Sequence, residues 1–142
     1  MKRILVATDG SDGANRALDE AAGLAKTNGA ALILLTIGGT ATGAELRRLA
    51  DSDGDLSKTL ERRADRILAQ AVRRARKLGI ASPVTRCEWG DPAEAILDVA
   101  SREKVDAIVL GRRGKGPLTR LLMGSVSQEV TSLAPCIVVV VP

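Results

Sequence analysis

The sequence contains no histidine, no tyrosine and no phenylalanine, and Trp89 is its single aromatic residue. Without histidine there is no histidine general base, no histidine-activated serine or cysteine nucleophile, and no histidine-ligated zinc. Without aromatics there is no row of rings on which single-stranded nucleic acid stacks. The core must therefore be aliphatic. Cysteine is scarce as well: Cys87 and Cys136 stand far apart and form no Cys-x-x-Cys pair. That pattern predicts two buried, reduced thiols in a cytoplasmic protein. No apolar run approaches the ~20 residues of a membrane span, so no membrane partner is expected. The run after Met1-Lys2-Arg3 is too short for a secretory signal before Thr8-Asp9-Gly10 turns the chain.

What is present describes one ordinary globular domain over residues 1–142, with 45% hydrophobic and 27% charged residues. Lysine and arginine exceed aspartate and glutamate by 21 to 17, a formal charge of +4 that permits anionic ligands without demanding nucleic acid.

Five short apolar runs predict strands: Ile4-Leu5-Val6-Ala7, Leu32-Ile33-Leu34-Leu35-Thr36-Ile37, a weaker Val84-Thr85-Arg86-Cys87, Ala107-Ile108-Val109-Leu110, and Ile137-Val138-Val139-Val140-Val141. Most are continuously apolar, as strands of a parallel sheet covered on both faces are. Amphipathic stretches between them predict helices. One carries Ala14, Ala17, Leu18, Ala21, Leu24 and Ala25 and stops at Asn28-Gly29; a second carries Leu56, Leu60, Ala64, Ile67, Ala71, Ala75 and Leu78 and stops at Gly79. A third opens on Asp91-Pro92-Ala93-Glu94, an N-cap followed by a first-turn proline, and a fourth runs from about Ser125 to Leu133. Strands alternating with helices make right-handed βαβ units. Residues 38–55 have no sustained period and read as a mobile loop with one helical turn near 44–49.

Several motifs fail. Asp9-Gly10-Ser11-Asp12-Gly13 after the first strand lacks the dinucleotide Gly-x-Gly-x-x-Gly. Gly111 and Gly116 have P-loop spacing, but Pro117 stands where lysine belongs. Asp51-x-Asp53-x-Asp55 begins like a calcium loop, yet Leu56 occupies its glycine position and Arg62 its bidentate glutamate. There is no Gly-x-Ser-x-Gly elbow.

The segment after the fourth strand differs. Glycines at a strand's carboxyl end expose backbone N–H groups, and a helix beginning near Ser125 offers a dipole end that favours phosphate. Ligands in open α/β sheets sit at the carboxyl edge where strand order reverses, which would bring Asp9 to face this loop. Arg112, Arg113 and Lys115 add positive charge. On physics alone a second reading stays open: the glycines only turn the chain, and Ser125-x-x-Gln128 is a capping box.

The segment matches Gly-x2-Gly-x9-Gly-Ser as Gly111-x2-Gly114-x9-Gly124-Ser125. Together with the Ile4-to-Ser11 opening, Gly90-Asp91-Pro92, Asp106-to-Gly111 and the final Pro135-to-Val140 block, it makes the chain resemble the nucleotide-binding universal stress proteins along nearly its whole length. The resemblance implies an ATP site, or one for AMP or ADP, with or without Mg²⁺. Ala7, Thr8 and Asp9 would lie near adenine and ribose, Ile37 beside the base, and Leu110 and Gly111 along the ribose. Gly114, Gly124, Ser125, Val126 and Ser127 would hold phosphates, with Arg112 and Arg113 adjacent. Asp9 would meet ribose hydroxyls or magnesium. The resemblance also implies a homodimer paired through the last strand, Ile137–Val141, whose bare edge otherwise invites aggregation.

The expected fold is a single three-layer, doubly wound α/β domain with a five-stranded parallel sheet in the order 3-2-1-4-5. The expected function is a nucleotide-dependent stress sensor or regulator. The alternatives are a nucleotide-independent interaction module, a slow ATP hydrolase or phosphotransfer enzyme, and a basic nucleic-acid binder. Arg62, Arg63, Arg66, Arg73, Arg74, Arg76 and Lys77 read as the solvated face of the second helix rather than a nucleic-acid stripe. Trp89 is expected at a sheet edge.

Overall fold

Strands that are apolar on both faces need a layer of helices on each side, and the chain builds that arrangement. The structure, a computed structural model, describes residues 1–39, 56–112 and 123–142. The elements are β1 (Arg3–Ala7), α1 (Asp12–Asn28), β2 (Ala31–Gly38), α2 (Leu56–Lys77), β3 (Val84–Trp89), α3 (Pro92–Arg102), β4 (Ala107–Gly111), α4 (Ser125–Leu133) and β5 (Ile137–Val141). All strand pairs are parallel, in the order β3-β2-β1-β4-β5. Val6 of β1 lies opposite Leu34 of β2 on one side and Val109 of β4 on the other. The expected loop over 38–55 falls mostly, and Arg113, Gly114 and Lys115 entirely, outside the described residues.

The pleat sorts the core into two layers. Ile4, Val6, Leu32, Leu34, Ala107 and Val109 face α1 and α2, where Ala17, Leu18, Ala21, Ala71 and Ala75 meet them. Leu5, Ile33, Leu35, Ile108 and Leu110 face α3 and α4, against Ala93, Ile96, Val99 and Val130. Small alanines on the helix faces let the helices sit close to the bulky aliphatics of the sheet.

Local signals fix the helix ends. The Ser11 hydroxyl accepts the Ala14 N–H at 3.2 Å and the Asp91 carboxylate accepts the Glu94 N–H at 3.0 Å, so both helices are capped by side chains. At the opposite end of α1, Gly29 adopts a left-handed φ of 62°. At the amino edge of the sheet, one oxygen of Asp106 accepts the Lys2 and Arg3 N–H groups at 2.6 and 2.9 Å, tying the start of β1 to β4.

β3 is an edge strand, which explains its weak apolar pattern. It runs two residues beyond the expected Val84-to-Cys87 stretch, to Trp89. On its α3 side, Arg86 donates to both oxygens of Glu103 at 3.1 and 2.7 Å, and Glu88 accepts from Arg102 at 2.6 Å. On its α2 side the Trp89 ring lies over Gly38, so close that a β-carbon there would come within 2.6 Å of it.

Three expectations need correction. Arg63 is buried, at 8% exposure, because it falls midway between Thr59 and Ile67 on the packed stripe of α2. A long aliphatic stem lets arginine occupy such a place. Arg74 is also not simply solvated: it forms a two-pronged ion pair with Asp19 of α1 at 2.7 and 2.8 Å. The thiols are free as expected but not buried, since Cys87 is exposed on the edge strand and Cys136 half-buried.

Candidate functional site

The chain leaves β1 toward β2 on one side, and β4 joins β1 on the other, so strand order reverses at the carboxyl ends of β1 and β4, where open α/β sheets form their ligand crevice. Alternation places Ala7, Ile37 and Leu110 last on the α3–α4 face of three adjoining strands. Ile37 and Leu110 belong to the core layer there, and Ala7 and Val126 pack against it. The crevice therefore has an apolar floor contributed by β1, β2, β4 and α4.

The β1–α1 turn forms one wall. Thr8 donates its N–H to the Leu35 carbonyl at 2.8 Å, and its own carbonyl accepts the Thr36 hydroxyl at 2.8 Å. The Thr8 hydroxyl then accepts the Gly10 N–H at 3.1 Å, and the Asp9 carboxylate accepts the Ser11 N–H at 2.9 Å. These bonds lock the turn and present Asp9 at the edge. Gly111 closes against this wall: a β-carbon on it would stand 3.0 Å from the carbonyl of Gly13. The close approach of α1 thus favours glycine here, whatever else the residue does.

The start of α4 forms the opposite wall. The Arg112 carbonyl accepts both the Gly124 N–H at 2.8 Å and the Ser127 hydroxyl at 2.7 Å, while the Arg112 N–H donates to the Val141 carbonyl at 2.7 Å. This pins the end of β4, the tip of β5 and the first turn of α4 together. Gly124, not Ser125, is the N-cap, with no side-chain bond to the helix, so the capping box of the second reading does not form. The first intrahelical bond runs from the Gln128 N–H to the Gly124 carbonyl at 3.0 Å. The N–H groups of Ser125, Val126 and Ser127 consequently find no acceptor among the described residues, unlike the side-chain-capped starts of α1 and α4's neighbour α3.

The expected residues thus come to one edge: Ala7, Thr8 and Asp9 on one wall, Ile37 and Leu110 on the floor, Gly111 and Arg112 at the end of β4, Gly124 to Ser127 opposite. Two of the expected phosphate donors are engaged within the fold, namely the Gly124 N–H and the Ser127 hydroxyl. Sequence reasoning did not anticipate that role for Ser127; a serine two residues after Gly-Ser was its only trace. Among the described residues no group of three or more Cys, Asp or Glu side chains converges to hold a metal. Asp9, the residue expected to meet a cation, has its carboxylate accepting the Ser11 N–H.

A model of the universal stress protein family matches residues 1–142. The chain belongs to the universal stress protein family. A universal stress protein of Thermus aquaticus is 37% identical over 146 residues, spanning 99% of this chain and 98% of its own length. Among solved structures of the family, UspA of Lactobacillus plantarum superposes with a TM-score of 0.81 at 29% identity, covering 99% of this chain and 97% of that one. A universal stress protein in complex with cAMP gives 0.73 at 29% identity, covering 99% and 97%. One from Archaeoglobus fulgidus in complex with dAMP gives 0.68 at 27% identity, covering 100% and 98%.

Proposed function

We propose that this chain is an adenine-nucleotide-binding universal stress protein that acts as a sensor or regulator. The observation that carries the reading is the first turn of α4, which has no side-chain cap and whose three N–H groups lack acceptors among the described residues, at the edge of an apolar crevice. Such a turn receives a phosphate through its N–H groups and its dipole together. The floor of Ala7, Ile37, Leu110 and Val126 suits the face of a base. The cAMP and dAMP complexes of its relatives supply the adenine.

ATP with Mg²⁺ is the fuller form of this proposal. Asp9 and the phosphates would hold the ion, which would neutralise phosphate charge. Asp9 stands at the edge with its carboxylate already orienting the β1–α1 turn, so we assign the site to binding rather than to rapid hydrolysis. In the cytoplasm, nucleotide occupancy would then be read by a partner. The chain would act as a homodimer through β5, where Ile137 is 55% exposed on an uncovered edge. Analytical ultracentrifugation at micromolar concentration is expected to show a dimer, and a monomer would refute the pairing.

The site is tested by calorimetry with ATP–Mg²⁺ and AMP on the native chain and on Ser125→Pro. Proline suits the first position of a helix, and Gly124 at φ −68° and ψ 159° already has the backbone that precedes proline. The substitution should spare the fold and remove one phosphate-facing N–H. A charge-assisted hydrogen bond of ~1.5–3 kcal/mol corresponds to a loss of about tenfold or more. Unaltered affinity, or no binding by the native chain, would refute the site.

A further inference from the structure

The charge of the chain is concentrated on one helix. α2 carries eight cations and two acids, a balance of +6, against +4 for the whole chain, so everything outside α2 sums to −2. Part of that charge is spoken for. Arg63 is buried, Arg74 is held by Asp19, and Lys58 and Arg62 alternate with Glu61 and Asp65 in the first half of the helix. The second half has no acid. There Arg66, Arg73, Arg76 and Lys77 are exposed, and their side chains enter no ion pair among the described residues. At 1.5 Å per residue they span about 16 Å.

The negative end of the helix dipole accounts for Arg76 and Lys77 in the last turn, but not for Arg66 and Arg73 before it. Arg73 also stands three and four residues from Arg76 and Lys77, a spacing at which like charges repel. A face that meets only water gains by alternating sign, as the first half of α2 does. An unrelieved positive row on a helix is the footprint of a polyanion site. The row is accessible: α2 packs over β2 and β3, at the far side of the sheet from β5, and its second half runs toward the amino edge, away from the crevice.

The chemistry narrows the partner. Protein interfaces centre on aromatic or aliphatic anchors, and only Ala69 and Gln70 lie exposed between Arg66 and Arg73. Single strands stack on rings, and α2 has none. Duplex RNA is held through its 2′-hydroxyls as well as its phosphates and has a narrow major groove, whereas B-DNA offers a groove that admits a helix between two rows of phosphate. We infer that the face formed by Arg66, Arg73, Arg76 and Lys77 docks the phosphate backbone of duplex DNA without reading its sequence.

The test is fluorescence anisotropy of the full-length chain with labelled DNA duplexes. The native chain should bind two unrelated sequences equally, and four phosphate contacts should weaken binding on the order of a hundredfold between about 50 and 200 mM salt. Arg73→Gln should lower the slope of log affinity against log salt by about one unit. Lys104→Gln, which removes an equal charge from the exposed turn after α3, should leave that slope unchanged. The combined Arg66→Gln, Arg73→Gln and Arg76→Gln chain should lose most of its affinity. Glutamine keeps the helix, so its melting temperature should be native or slightly higher as repulsion is relieved. No DNA binding at the lower salt, or equal effects of Arg73→Gln and Lys104→Gln, overturns the inference. Tighter binding to duplex RNA, to a single strand, to polyglutamate or to phosphatidylserine vesicles overturns it in favour of that partner.

Discussion

At the scale of single residues, the two kinds of glycine and serine in the crevice are separable by what they touch. Gly111 packs tightly against α1, since a β-carbon on it would stand 3.0 Å from the Gly13 carbonyl and push that backbone away. Gly111→Ala should destabilise the chain by about 1–3 kcal/mol, the range for forcing an extra carbon against a well-packed wall. Urea denaturation checks it, and a native-like midpoint would show that α1 moves away freely. A glycine motif read from sequence cannot separate this role from close approach to a ligand, since both require only that nothing project. Ser127 and Arg63 were hidden for a similar reason. A hydroxyl folded back onto a carbonyl and a guanidinium inside a helix interface are written with the same letters as exposed ones. Their settings depend on residues remote in the chain, Arg112 for the first and the sheet beneath α2 for the second.

At the scale of elements, the three helices with described N-caps start in two ways. The Ser11 hydroxyl and the Asp91 carboxylate each accept an N–H of the helix they begin, so Ser11→Ala and Asp91→Ala should each lower stability by about 1 kcal/mol. Ser125→Ala should change it by only a few tenths, because Ser125 follows the cap rather than forming it. Equal losses at all three positions by chemical denaturation would contradict the assignment of Gly124 as the cap. Strands β1, β2 and β4 were legible because burial on both faces leaves an unbroken apolar run, and β5 keeps such a run although it is an edge strand and only half-buried. β3 was legible only in part: an edge strand presents Arg86 and Glu88 to ion pairs with α3, and charge interrupts the pattern. The start of α4 at Ser125 was legible, but its cap was not: the Gln128 N–H that a Ser125 cap would have received goes to the Gly124 carbonyl instead.

At the scale of the whole molecule, the order β3-β2-β1-β4-β5 is what joins residues from both halves of the chain at one edge. It was predicted alongside the family resemblance; the alternation of strand and helix by itself implies a parallel, doubly wound sheet without choosing among its strand orders. Its amino edge depends on Asp106, whose carboxyl is held below the ordinary carboxylate range by the Lys2 and Arg3 N–H groups. A folded-state value below the unfolded one of about 4 means the contribution is complete above that pH and is lost on acidification through the folded value. The stability gap between the native chain and Asp106→Asn should therefore be constant near neutrality and narrow progressively below about pH 4. A gap independent of pH, measured by thermal melting across that range, would show that the carboxylate charge contributes nothing to the clip.

The lone indole at the outer edge of β3 has a practical corollary. With no tyrosine beside it, the chain absorbs weakly in the near ultraviolet and emits from a single site. That site lies on the sheet face turned away from the crevice floor, so its emission should respond to unfolding more than to ligand. Against so faint a background, an adenine ring carried through purification would dominate the absorption spectrum. An occupied fraction would then disclose itself at the first spectrum recorded, before any ligand is added.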